Sequence, residues 1–305
     1  MTNQGDLQAS IRTVTGTTYD YNGDWHSLFD FYSIATGEFN GRLILWLQSA
    51  LNSTNPDLDG LKQEYADSLG VYNWNSVYTV GHALPNQELR LDASDTSTIT
   101  ATTQNVTLWA DKSGNGYDAT TDFGTPRTGD STENGLNIID FTTDRLFLPS
   151  ALYTIPNGDN TLFVVSKRAS EDGSLDSTIG AASGVTNEYF HTYTNVAGSQ
   201  IFTNKSGGGG SVTFAGATNT DLNIAAMRRD GTTQGISVDG GTEVTNTSAT
   251  SSATIDDFFI GTAGSGAFPL NGSIAEIIIY DRNLSTGEIT TINQYLANKW
   301  GVTLA

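Results

Sequence analysis

Two hydrophobic periods divide the chain. Between Trp25 and Leu69, apolar residues recur three and four apart, the spacing of a helix with one buried face. Trp25, Leu28, Phe29 and Tyr32 follow a candidate cap at Asp24 and precede Gly37. Leu43, Ile44, Trp46, Leu47 and Leu51 mark a second segment over residues 40–51, and residues 58–69 form a third that ends at Gly70. The pattern predicts three helices with Trp25, Trp46 and Trp74 as a small core. From Leu89 onward the period becomes two, the signature of half-buried strands. Val106, Leu108 and Ala110 alternate with polar residues, and Ser113-Gly114-Asn115-Gly116 then supplies residues that tolerate positive φ, predicting a tight reversal into a second strand.

Residues 135–141 and 189–193 read as further strands. Thr161-Leu162-Phe163-Val164-Val165-Ser166 is nearly continuously apolar, as expected of a strand buried on both faces. Residues 224–229 and 234–241, separated by Asp230-Gly231-Thr232-Thr233, predict a hairpin. Strands are also expected from Phe258 and over residues 270–281, with an acidic loop over residues 170–178. Ser285-Thr286-Gly287-Glu288 is a capping box opening a last helix, with Ile289, Ile292, Tyr295, Leu296 and Trp300 on its apolar face and Gly301 as its stop. The chain therefore divides into a polar arm (1–20), a helical domain (21–75), a linker (76–88) and a β domain (89–305). A helical unit of this size is marginal on its own, because small domains bury a small fraction of their surface.

Leu89-Arg90-Leu91-Asp92-Ala93-Ser94, followed by Trp109-x-Asp111-x-Ser113-Gly114-Asn115-Gly116-x-x-Ala119, resembles the opening of the concanavalin A-like (laminin-G-like) jelly-roll domains of many phage virion proteins. Gly272-x-Ile274-Ala275-Glu276-Ile277-Ile278-Ile279-Tyr280-Asp281-Arg282-x-Leu284-Ser285 is a second match, and the matches span about residues 89–304. A third, Phe141 to Leu146, departs from the family in having Thr142-Thr143 where Asp-Gly is usual. The stretch from Tyr21 to Asp30, with Gly37 to Trp46, is similar to N-terminal segments of tailed-phage structural proteins. The resemblance implies a mainly β fold: a two-sheet antiparallel jelly-roll sandwich with a small α-helical N-terminal domain that docks on the virion, and a C-terminal helix. Trp109, Asp111, Gly114, Gly116 and Trp300 are its structural motif residues. It implies a non-enzymatic virion protein displayed on the particle surface as capsid decoration, head fibre or tail fibre. Such a protein is assembled in the host cytoplasm beside other capsid or tail proteins, as a homo-oligomer with a trimer favoured, and contributes to host-surface glycan attachment. The alternatives are a dedicated carbohydrate-binding lectin module and, after it, a glycan hydrolase.

Composition narrows the chemistry. The net charge of −19 repels phosphate backbones, so nucleic acid is not an expected partner. With no cysteine there is neither disulfide nor thiolate site, and no apolar run reaches the roughly 20 residues of a membrane span, so no membrane insertion is expected. The N-terminus lacks the basic and apolar regions of a signal peptide. Laminarinase-type relatives carry their acids as Glu-x-Asp-x-x-Glu on one strand, a pattern absent here. The nearest pair, Glu276 and Asp281, is five apart and falls on opposite faces of a regular strand, so no catalytic residue is assigned. Neither glycine-rich stretch, 113–116 or 206–210, carries a Walker or dinucleotide motif.

Asn55-x-Asp57-x-Asp59-Gly60 imitates half an EF-hand, but Ala66 stands where the bidentate Glu belongs. No cofactor is expected, with calcium the one candidate: related folds hold a rim ion, and Asp111, Asn115, Asp118 and Asp144 could serve, although Asp in turns ordinarily makes Asx-turn hydrogen bonds. Of the histidines, His26 and His82 lie in the N-terminal part. His191, with Tyr189 and Tyr193, is the candidate platform for stacking on sugar rings, against the plain alternative of a half-exposed strand residue. Arg228 and Arg229 read as a solvated hairpin flank, or as partners of acidic loops.

Overall fold

The most apolar strands of the sequence become the centre of the β unit. The computed structural model describes residues 87–183, 186–204, 210–247 and 254–305, which belong to one compact unit, Asn86–Ala305. The polar arm, the helical domain with its three tryptophans, the linker up to residue 86, His26, His82, the Asn55–Gly60 loop and residues 205–209 of the glycine run lie outside the described residues.

Seventeen strands are described, and every strand pairing is antiparallel. In one ladder β17 (Gly272–Tyr280) pairs with β8 (Asn160–Arg168), which pairs with β13 (Asn223–Asp230), followed by β14 (Thr233–Val238) and β15 (Val244–Thr247). The other edge of β17 is shared by β6 (Leu136–Phe141) and β1 (Leu89–Asp92), with β5 (Arg127–Glu133) beyond β6. The second ladder runs through β2 (Ile99–Thr102), β3 (Asn105–Trp109), β4 (Ala119–Phe123), β7 (Arg145–Phe147) and β16 (Asp257–Ile260). It continues through β9 (Asp176–Ser183), β10 (Thr186–Tyr193), β11 (Ser199–Asn204) and β12 (Val212–Ala215). A single pair, Asn105 with Arg127, joins the ladders, giving a nearly closed sandwich.

The alternation explains the core. Leu162, Val164, Met227, Ile277 and Ile279 from the first ladder and Ile179, Ala181, Phe202, Phe258 and Ile260 from the second belong to one buried cluster. The opposite face of the first ladder, including Phe163, Val165 and Ile278, is buried as well, which is why β8 and β17 are apolar almost throughout. That face carries the C-terminal helix α1 (Thr286–Trp300), whose Ile292, Tyr295, Leu296 and Trp300 are buried. Ser285 and Glu288 form the expected capping box, and Gly301 ends the helix at φ 74°. The expected loop over residues 170–178 is shorter than its acidity suggests, because Asp176 opens β9. Among the described residues no helix is long and apolar enough to cross a membrane.

Candidate functional site

The calcium candidates are occupied by the backbone. Gly114 and Gly116 turn the chain at φ 96° and 75°. This folds the loop around Asp111, whose Oδ1 accepts from the Arg90 and Ser113 N–H groups at 2.9 and 2.8 Å. Its Oδ2 accepts from Ser113 Oγ at 2.6 Å and Tyr117 N at 3.1 Å. Asp118 accepts from Asp111 N at 2.8 Å, and Asn115 donates to the Glu88 carbonyl at 2.9 Å. Asp144 closes a different turn, accepting from Thr125 N at 2.7 Å and Thr142 N at 2.9 Å. Among the described residues no group of three or more His, Cys, Asp or Glu comes together as a metal site. Asp111 thus staples β1 to the β3–β4 turn. Asp111→Ala is expected to lower stability by about 1–2 kcal/mol, since partly buried N–H groups lose their acceptor. Chemical denaturation of the variant in calcium-free buffer measures this, and an unchanged midpoint would remove the staple role.

The sugar-stacking candidates require a correction. All three lie on β10, but the His191 and Tyr193 side chains are 0% exposed, so neither ring offers a face to a ligand. Phe202 and Gln200, their cross-strand partners on β11, lie on the same inward face. His191 Nδ1 is 2.8 Å from Thr178 Oγ1 and Nε2 is 2.9 Å from Gln200 Oε1. The Gln200 amide donates to Asn219 Oδ1 at 3.0 Å and Asn223 Oδ1 at 3.2 Å, which fixes its oxygen toward the imidazole and assigns the proton to Nε2. Burial pushes the His191 pKa down to about 4, against the Gln200 hydrogen bond, so the ring is neutral at pH 7. Tyr193 spans the sandwich to Ser166 Oγ at 2.6 Å. Tyr189 pairs through its backbone with Asn204 and Ala181.

The candidate acids part company too. Asp281 is exposed, while Glu276 is 0% exposed beneath α1. Its carboxylate accepts from Trp300 Nε1 at 2.9 Å, Lys299 Nζ at 2.8 Å, Arg90 Nε at 3.1 Å and Tyr295 OH at 3.2 Å. Lys299 also reaches Asp92 at 2.6 Å, and Lys112 bridges Asp92 and Asp95 at 3.3 and 2.6 Å. Burial alone would raise the Asp92 carboxyl, but Lys299 and Arg90 hold it well below the usual carboxylate range. Arg90, Lys112 and Lys299 thus balance Asp92, Asp95 and Glu276 in one cluster. The basic pair on the hairpin is likewise engaged. Arg228 forks onto Glu243 with two contacts of 2.6 Å, and Arg229 is buried with Nη1 on the Pro156 carbonyl at 2.7 Å.

A cleft of about 550 Å³ opens beside the C-terminal end of α1. Its walls are the 216–223 loop before β13, Asp239 after β14, Glu133, Lys167 and the tail from Trp300 to Thr303. Lys167 pairs with Glu133. Asp239 sits at φ 51°, accepts from Ile224 N at 2.7 Å and Asn223 Nδ2 at 3.1 Å, and receives the Ala305 N–H on its carbonyl at 2.8 Å. Burial raises the Asp239 carboxyl pKa. The loop is tied down by Gly216 and Ala217 N–H groups donating to Gly198 O at 2.9 and 3.0 Å. Thr218, Thr220, Asp221 and Thr303 are exposed around the opening. Pattern reading misses this site because its residues come from five separated stretches; the Thr-Asn-Thr-Asp run at 218–221 is the one local signal.

No protein-family model matches the sequence, and no curated protein matches it. Solved structures do show similarity. A Trypanosoma rangeli sialidase, in complex with 2,3-difluorosialic acid as a covalent intermediate, aligns with a TM-score of 0.50 and 15% identity over 70% of this chain and 33% of that one. The Ruminococcus gnavus IT-sialidase CBM40, bound to α2,3-sialyllactose, gives 0.38 and 19% over 48% and 88% of the two chains. The binding domain of botulinum neurotoxin DC, in complex with rat synaptotagmin II, gives 0.47 and 11% over 69% and 52%. This chain spans about a third of the length of the sialidase. Of these three, the sialidase likeness reaches 0.50, and at 15% identity it speaks to the antiparallel β fold alone.

Proposed function

We propose that this chain is a non-enzymatic display protein of a tailed-phage particle, a concanavalin A-like jelly-roll domain presented at the virion surface to engage host glycans. The observation that carries the non-catalytic part is the burial of Glu276 under four donors. Retaining hydrolysis needs two carboxyls about 5–5.5 Å apart across an open bond. Here the candidate acid lies inside and its nominal partner, Asp281, is exposed on the chain beyond the strand. The virion setting is supported by the motifs around Trp109 and Glu276 and by the phage-like segments between Tyr21 and Trp46. In this reading residues 21–75 dock on capsid or tail proteins, and the particle's symmetry gives a homo-oligomer, a trimer first. A dedicated lectin is the second reading, favoured by the polar cleft.

The full chain, incubated with host-surface polysaccharide, is expected to be retained on it and to leave its chain length unchanged. Shortening of the polysaccharide would overturn the non-enzymatic reading. Immunogold labelling of intact particles is expected to decorate their surface, and particles that carry none of the chain after stringent washing would overturn the virion reading.

A further inference from the structure

We infer that the cleft beside Trp300 is the glycan site and that it takes an uncharged sugar. This rests on the glycan-binding reading above and names the place and the substrate class. At about 550 Å³ the cleft falls within the range of small-ligand sites, roughly 300–1,000 Å³. Most such sites are predominantly apolar; this one counts Thr218, Thr220, Thr303, Asp221 and Asp239 among its lining residues, and the first four of these are exposed at its opening. Among the described lining residues the one aromatic is Trp300, which is 2% exposed and bonded through its indole N–H to Glu276. Recognition here proceeds through hydrogen bonds to many hydroxyls rather than through stacking, which suits a polyol and excludes an apolar ligand.

Charge sets the class of sugar. Among the described lining residues are three acids, Glu133, Asp221 and Asp239, and one cation, Lys167, which Glu133 already engages. A sialylated, sulfated or uronic ligand would bring its anion into a site with surplus negative charge, in a chain of net charge −19. Neutral hydroxyls instead find carboxylate acceptors, which make the stronger class of hydrogen bond. The site is also held in place: Gly216 and Ala217 hang on Gly198, and Ala305 ties the C-terminal tail to Asp239.

The test is a glycan array probed with the full chain, the variants Asp221→Ala and Thr218→Trp, and melting curves for all three. Both positions are exposed, so the variants are expected to melt with the parent. The parent is expected to bind neutral glycans at least tenfold more tightly than their sialylated counterparts, and both variants to lose at least tenfold in affinity. Neutral-glycan binding that neither variant weakens overturns the site and leaves the glycan-binding reading standing. Binding confined to anionic glycans overturns the uncharged class. Binding to no glycan removes that reading and this inference together.

Discussion

Glu276→Ala is expected to lower the unfolding free energy by about 3–5 kcal/mol, the usual result of removing one partner from a buried ion pair. Glu276 is the point where β1, β17 and α1 meet. Arg90 comes from β1, Glu276 from β17, and Tyr295, Lys299 and Trp300 from α1. The Arg90 and Lys299 side chains are 13% and 15% exposed, so water cannot fully replace the carboxylate that the alanine removes. Tyr295 loses the acceptor for its hydroxyl, which also accepts from Arg90 Nη2 at 2.6 Å, and Trp300 loses the acceptor for its indole N–H. This loss measures the cost of orphaned groups rather than the net worth of the cluster, which a well-packed apolar set could match.

Glu276→Gln separates structure from catalysis. The amide keeps the volume and an acceptor oxygen, so a smaller loss is expected, from the unbalanced charge on Arg90 and Lys299. Urea titrations of parent and both variants supply the numbers. A Glu276→Ala protein within 1 kcal/mol of the parent would show that the three elements are held by apolar packing alone. A Glu276→Gln protein of parental stability that lost a glycan-cleaving activity would move the residue into an active site.

What could be read from residue order was what is local. β8 and β17 announce themselves as unbroken apolar runs, the β13–β14 hairpin through Asp230-Gly231, and α1 through its capping box, because each signal lies within one element. β5 and β15 left no such trace: Arg-Thr-Gly-Asp-Ser-Thr-Glu and Val-Thr-Asn-Thr are largely polar because they bury little on either face. β9 opens with Asp176-Ser177-Thr178, three buried polar residues that read as loop until their partners are known. Arg168 and Thr192 are those partners for Asp176 and Ser177, at 2.6 and 2.5 Å. His191 failed as a surface candidate for the same reason. Its polar neighbours Thr178 and Gln200 sit on adjacent strands, and a bulge between His191 and Thr192 breaks the alternation on which face assignment depends. The Asp111 loop was legible as a turn, but whether its carboxylate held a cation or the backbone depended on Arg90, 21 residues earlier.

Acid is expected to weaken the fold across the window between pH 6.5 and about 4, and His191 is the group responsible. Unfolded, the imidazole has its ordinary pKa of 6.5; folded, burial in the sandwich lowers it to about 4. Between those values the unfolded chain holds a proton that the native chain does not, so stability rises with pH and falls as acid is added. The full separation corresponds to about 3 kcal/mol, reached near pH 4 and absent above pH 6.5. Asp92 acts in a different range. Its carboxyl is held below the ordinary 3.8, so its contribution is intact above that pH and is lost only in stronger acid. Protonating His191 would also reverse its hydrogen bond to Thr178, whose hydroxyl donates to Nδ1 of the neutral ring and would have to turn to accept from it. His191→Gln keeps a polar side chain there and removes the titration. Urea-derived stabilities at pH 7, 6, 5 and 4 are expected to fall more steeply for the parent than for the variant. His26 and His82 are common to both proteins, so the difference in slope belongs to His191. Parallel curves would mean that the imidazole titrates alike in the folded and unfolded chain, as a solvated ring does.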